Sequence, residues 1–162
     1  MIAPAPAPKH DAPARHAARL AAVQALYQME LTGENAETVA EEFTAYRFGG
    51  DSELVPAEPD EVFFGALVRG VPEHQVEIDA AITDCLADGW RLSRVDSILR
   101  AILRAGVYEL IARPDVPAKV VIDEYVELAH DFFSGDETSF ANAALDKLAR
   151  IKRAAEFGEP GL

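Results

Sequence analysis

A chain of 162 residues with 49% apolar and 27% charged residues, 10 Gly and 10 Pro has the make-up of one folded globular domain, which excludes disordered and collagenous classes. Cys85 is the single cysteine, so no internal disulfide can form, and a reducing, cytoplasmic compartment is the expectation. No run approaches the roughly 20 apolar residues of a membrane-spanning helix, and the start lacks the cationic and apolar regions of a secretory signal.

The formal charge of −13 is unevenly distributed. Residues 1–29 sum to +2, residues 30–90 to −13 and residues 91–162 to −2. The N-terminal arm is therefore the positive end of an acidic protein.

Residues 1–13 alternate Ala and Pro, which predicts a flexible, partly polyproline basic arm. Residues 14–155 read as a single helical domain and residues 156–162 as a frayed tail. The Gly- and Pro-free stretch from Ala14 to Leu31 predicts a first helix, with Arg15 and Arg19 projecting together from a narrow polar stripe near its start. Asn35 is placed to cap a second helix through Tyr46, followed by a long surface loop from Phe48 to Pro59. Asp60 to Gly70 predicts a short helix carrying Val62, Phe63, Leu67 and Val68 inward. Pro72 suits the first turn of the next helix, which turns Ile78, Ile82, Cys85 and Leu86 inward and stops at Gly89.

The clearest periodicity lies between Ser93 and Ala112, where Val95, Ile98, Leu99, Ile102, Leu103, Val107, Leu110 and Ile111 keep helical spacing behind a capping-box-like Ser93–Asp96 start. Pro114 ends that helix, and Pro117 sits where a first-turn proline opens the next, whose apolar arc runs from Val121 to Phe133. Ser134-Gly135-Asp136 predicts a turn before a last helix from Phe140 to Ile151. Val120-Val121-Ile122 is the one β-like run and its neighbours keep the helical period, so the fold class is all-α.

Enzymatic constellations are missing from the sequence. Glu127-Leu-Ala-His130 has the spacing of a bundle iron site, but such a site needs two of these steps and two further carboxylates. Both residues fall on the polar face, so we read them as a solvated surface, with no metal and no cofactor. Cys85 has no basic neighbour in sequence to activate it and reads as packing. Arg100 and Arg104 read as a solvated flank, His74 and His130 as isolated and exposed. Glu109 falls inside an apolar arc, which predicts a buried structural carboxylate paired with an arginine. A mobile arm with Lys9 and His10, leading to Arg15, His16 and Arg19 at the positive end of a helix, suits phosphate.

Several segments in order, Ala18–Tyr27, Leu99–Leu110, Asp115–Pro117, Ile122–Glu124, Glu127–Ala129 and Phe140–Asp146, resemble the transcription antitermination factor NusB family. The resemblance implies about seven helices in two packed subbundles and no catalytic activity. It further implies binding of single-stranded boxA RNA of ribosomal RNA transcripts together with NusE, a small-subunit ribosomal protein, within an RNA polymerase antitermination complex. By position, it carries RNA contact to Arg15, His16 and Arg19, to Asp136 and Phe140 at the start of the last helix, and to Arg104. The family's arginine run is thinned here, with Asp123 where Asn is usual and His130 where Lys is usual. The acidic segment 30–90 would suit a basic partner such as NusE. A free monomer and a homodimer are both compatible with the sequence. Alternatives are an interaction adaptor and the NusB-like part of RsmB-type ribosomal RNA methyltransferases, which needs a following catalytic domain.

Overall fold

A computed structural model of the chain describes residues 12–46, 48, 58–87 and 89–158. Among them are seven α-helices: α1 Ala12–Thr32, α2 Ala36–Tyr46, α3 Glu61–Glu73, α4 Gln75–Cys85, α5 Ser97–Ala112, α6 Ala118–Phe132 and α7 Asp136–Lys152. Short 3-10 turns span Leu92–Arg94 and Ala154–Phe157. No strand occurs among the described residues, and the all-α expectation holds. Of the expected arm at residues 1–13, residues 1–11 lie outside the described residues, as does most of the expected 48–59 loop, while Ala12 and Pro13 belong to α1.

The chain divides into two compact units, residues 1–69 and 70–162. In the first, the Ala-rich face of α1 is buried through Ala18, Ala21, Ala22 and Ala25, where small side chains allow close helix approach. Pro13 lies within the first turn of α1, where its missing N–H costs nothing, so the helix starts earlier than the Ala-Pro pattern suggests. Asn35 caps α2 as expected, its Oδ1 accepting from the Thr38 N–H at 2.8 Å. Phe43 stacks on Phe64, and Phe48 meets Phe64 edge-on with centroids 4.9 Å apart. Phe48 is therefore a core residue, not part of a solvated loop. Val62, expected inward, is 83% exposed because Phe63 and Phe64 fill the inner face of α3.

In the second unit α5 packs against α4, α6 and α7, so its side chains are buried along most of its length. Its start differs from the expectation. Leu92–Arg94 form a 3-10 turn, and Asp96 is the N-cap, its carboxylate accepting from Ile98 N–H at 2.8 Å and Leu99 N–H at 3.2 Å. Pro72 also departs from expectation: it closes α3 instead of opening α4, since the preceding turn is already helical and the break falls at His74. α4 ends at Cys85, before Gly89, which adopts φ +88° in the following turn. Pro117 is the N-cap of α6, one residue outside the helix.

α7 begins at Asp136, a full turn before the expected Phe140, with Asp136 and Glu137 favourably placed in its positive first turn. Glu156 is not frayed. It accepts the Ala118 N–H at 2.8 Å and pairs with Arg153, and these interactions hold its carboxyl below the usual range. Cys85 is half-buried, and burial pushes its thiol up, in keeping with a packing role.

The close approach of Gly70, at the start of this unit, to Tyr108 of α5 makes a testable point. A Cβ added to Gly70 would lie 2.3 Å from Cζ of the buried Tyr108 ring. Gly70→Ala is expected to lower stability by about 1–3 kcal/mol through overpacking, despite alanine's better helix propensity. Thermal denaturation followed by circular dichroism checks this, and a melt at or above that of the parent would show that Tyr108 can swing aside.

Candidate nucleic-acid interface

The cationic start of α1 is organised around one aromatic ring. The guanidinium carbons of Arg15 and Arg19 stand 4.6 and 4.9 Å from the centroid of Phe63, a residue of α3. Asp60, which precedes α3, anchors the same region. Its N–H donates to the Ala14 carbonyl, its carboxylate caps α3 at Phe63 N–H, and it lies 3.9 Å from Arg15 Nε.

Arg15 keeps 35% of its side-chain surface and His16 is half-buried. Arg19 does not share their exposure. It is 2% exposed, so the polar stripe expected to carry both arginines carries only the first. The cause is that the apolar stem and planar head of Arg19 fill space over Phe63, where a helical projection cannot place a partner. Arg19 shapes the region from within.

The pair on α5 is likewise structural, which corrects the reading of a solvated flank. Arg104 is held by Asp79 of α4 through Nε and Nη2, at 2.9 and 3.0 Å, with 16% of its side chain exposed. This bidentate pairing commits the fork expected to reach RNA. Arg100 is buried and its Nη1 donates to the carbonyls of Val95, Leu92 and Ser93, fixing the turn before α5. His74 is half-buried, with Nδ1 2.9 Å from the Gly70 carbonyl and its ring edge-on to Tyr108. Glu127 and His130 are both exposed, as expected of a solvated helix face. Glu109 is 0% exposed and accepts a hydrogen bond from the Tyr125 hydroxyl, so the expected burial is found.

Asp136 and Phe140, in contrast, come together on a feature the sequence did not reveal. They line a groove of about 520 Å³ in the second unit, with Trp90, Arg94, Asp96 and Leu99 on its other parts. Trp90 and Arg94 were missed because they sit in a turn, where no helical period marks a face. The available signal was the lone tryptophan beside Gly89, followed by Arg91 and Arg94.

A family model described as the NusB family matches residues 16–150. The chain belongs to the NusB family. Among relatives, a protein of Maricaulis maris (strain MCS10) named transcription antitermination protein NusB is 55% identical over 144 residues, covering 88% of this chain and 90% of the relative. Among solved structures, T. maritima NusB superposes with a TM-score of 0.73 at 30% identity, covering 89% of this chain and 96% of its own. The antitermination factors NusB and NusE solved in complex with double-stranded RNA include a similar chain, with a TM-score of 0.65 at 25% identity, covering 83% of this chain and 95% of that one. The all-helical architecture is thus that of the family.

Proposed function

We propose that this protein is a non-catalytic transcription antitermination factor that binds single-stranded boxA-type RNA of ribosomal RNA transcripts together with NusE, within an elongating RNA polymerase assembly. The observation that carries the reading is the likeness, across 83% of this chain, to a chain solved in a complex of NusB and NusE with double-stranded RNA, while the single-strand preference rests on the family resemblance. Arg15 supplies a cation and His16 an imidazole where α1 begins, Asp136 accepts from base amino groups, and Phe140 offers a ring for stacking. Arg19 and Arg104 act as positioning residues, the first beneath Arg15 on Phe63 and the second through Asp79.

The net charge of −13 does not oppose this. Exposed charges farther apart than about 8 Å are largely screened at physiological salt, so the phosphates respond to the nearby cations. With about three to five phosphate contacts, log Kd should change with log salt by about 2 to 3.5, which implies modest intrinsic affinity and a clear gain from a basic partner.

The test is a titration of boxA RNA with the protein alone and then with NusE, at several salt concentrations. Binding should tighten with NusE and favour the single strand over a duplex of the same sequence. Arg15→Ala should weaken binding about tenfold, the value of one charge-assisted hydrogen bond, while the melting temperature changes little. Equal affinity of variant and parent would remove Arg15 from the interface.

A further inference from the structure

We infer that Trp90 is a stacking platform for a base of the bound RNA, facing the same groove as Phe140; this rests on the RNA-binding reading above. Trp90 is the chain's one tryptophan and is 58% exposed, although tryptophan is among the most buried residues on average. It lies on the rim of the groove of about 520 Å³, within the range of roughly 300–1,000 Å³ typical of small-ligand sites.

The backbone that carries the ring is tied down by hydrogen bonds. Gly89 takes φ +88° just before it, and the Trp90 N–H donates to the Ala87 carbonyl at 3.0 Å. The segment that follows is fixed by the Arg94 N–H on the Arg91 carbonyl at 2.9 Å and from below by the buried Arg100 guanidinium on the carbonyls of Leu92, Ser93 and Val95. An exposed ring on such a turn loses little further entropy when a ligand covers it.

The chemistry favours a nucleobase over an aliphatic side chain. Two aromatic residues, one arginine, Arg94, and three carboxylates, Asp96, Asp136 and Glu137, line the groove, so the groove itself suits a base rather than a phosphate, and the backbone would run outside it past the exposed Arg91 and Arg94. Asp96 spends its carboxylate on capping α5, and Asp136 stands in the positive first turn of α7, where it can accept from a base amino group. Aromatic rings with few fixed donors give stacking that tolerates different bases.

Because Trp90 is the one tryptophan, its fluorescence reads the site directly. Titration with single-stranded boxA RNA, with and without NusE, should quench Trp90 with the same midpoint as RNA binding measured by anisotropy of labelled RNA. Trp90→Ala should weaken binding roughly five- to hundredfold, and Trp90→Phe should retain most of the affinity. Parental affinity in Trp90→Ala, or RNA bound with no quenching, overturns the inference and leaves the RNA-binding reading standing. Quenching by NusE alone and none by RNA assigns the groove to a protein partner and also overturns it. Absence of RNA binding under every condition defeats the functional reading, and this inference with it.

Discussion

Glu109→Ala is expected to lower the unfolding free energy by about 3–5 kcal/mol, a cost that joins a stranded buried hydroxyl to the loss of the arginine pairing proposed below. The carboxylate sits at 0% exposure on α5 and accepts from the hydroxyl of Tyr125, itself fully buried on α6. Truncation leaves that hydroxyl facing an apolar cavity, so a desolvation penalty adds to the lost contact. We propose that an arginine also pairs with this carboxylate, as a charge so deeply buried requires compensation. Tyr125→Phe should cost less, about 1–3 kcal/mol, because the ring still fills its site. For a domain of this size each kcal/mol shifts the melting temperature by about 2–4 °C, so the two variants separate clearly by calorimetry. The double variant should lose less than the sum of the singles, because the two residues share one interaction. A loss below about 1 kcal/mol for Glu109→Ala would show that its burial is relieved by water, and an additive cycle would show that the hydrogen bond contributes nothing.

This glutamate also marks what the sequence made legible. Its burial followed from position alone, because the period of α5 is long and strict enough to place Glu109 inside an apolar arc. The same reasoning misplaced Arg19 and Arg100. The helical projection places both outward, Arg19 on a narrow polar stripe and Arg100 on a flank, whereas each guanidinium is accommodated by a partner that lies far along the chain or in an irregular turn: Phe63 for Arg19 and the carbonyls of Leu92, Ser93 and Val95 for Arg100. Periodicity describes one helix at a time, so it registers a stripe but not the ring or carbonyl that makes a charged side chain welcome inside it. Element ends slipped for a related reason. Asp96 and Asp136 each have the capping or first-turn chemistry that was recognised nearby, but the choice among adjacent candidates depends on which one the packed helix leaves exposed.

The candidate site divides in the same way. Arg15, Asp136 and Phe140 keep exposure compatible with a ligand; the cationic helix start points to the first, and the resemblance alone points to the other two. Trp90 and Arg94 became visible only once the turn between α4 and α5 was folded against the start of α7. A groove assembled from the ends of elements has no period of its own. Its residues are therefore hidden from patterning even where, as with a lone exposed tryptophan, their type is unusual.

Arg153→Ala is expected to be as damaging as the loss of Glu109, although Arg153 lies near the end of the last helix and belongs to no apolar stripe. Its side chain is 9% exposed and reaches back to α5. Nε donates to the Leu110 carbonyl at 2.7 Å, Nη2 to the carbonyls of Glu109 and Arg113 at 3.0 and 2.7 Å, and Nη1 to the Val116 carbonyl at 3.0 Å. These are the terminal carbonyls of α5 and the connection to α6, where a helix leaves acceptors unpaired and its dipole favours a cation. The planar fork meets several at once, which a lysine ammonium cannot do, so Arg153→Lys should recover only part of the loss. We expect Arg153→Ala to cost about 3–5 kcal/mol in urea denaturation, with α5 and α6 remaining helical but less protected from hydrogen exchange at their junction. Glu156 adds a pH dependence of defined sign. Its carboxyl is lowered first by the Ala118 N–H and then by Arg153, so its contribution is present above the unfolded carboxylate value of about 4.3 and is lost as pH falls through the lower folded value. Arg153→Ala should make this acid loss shallower without abolishing it, because the Ala118 hydrogen bond survives. A variant that melts within about 1 kcal/mol of the parent, with an unchanged acid limb, would show that water can replace the guanidinium at the end of α5.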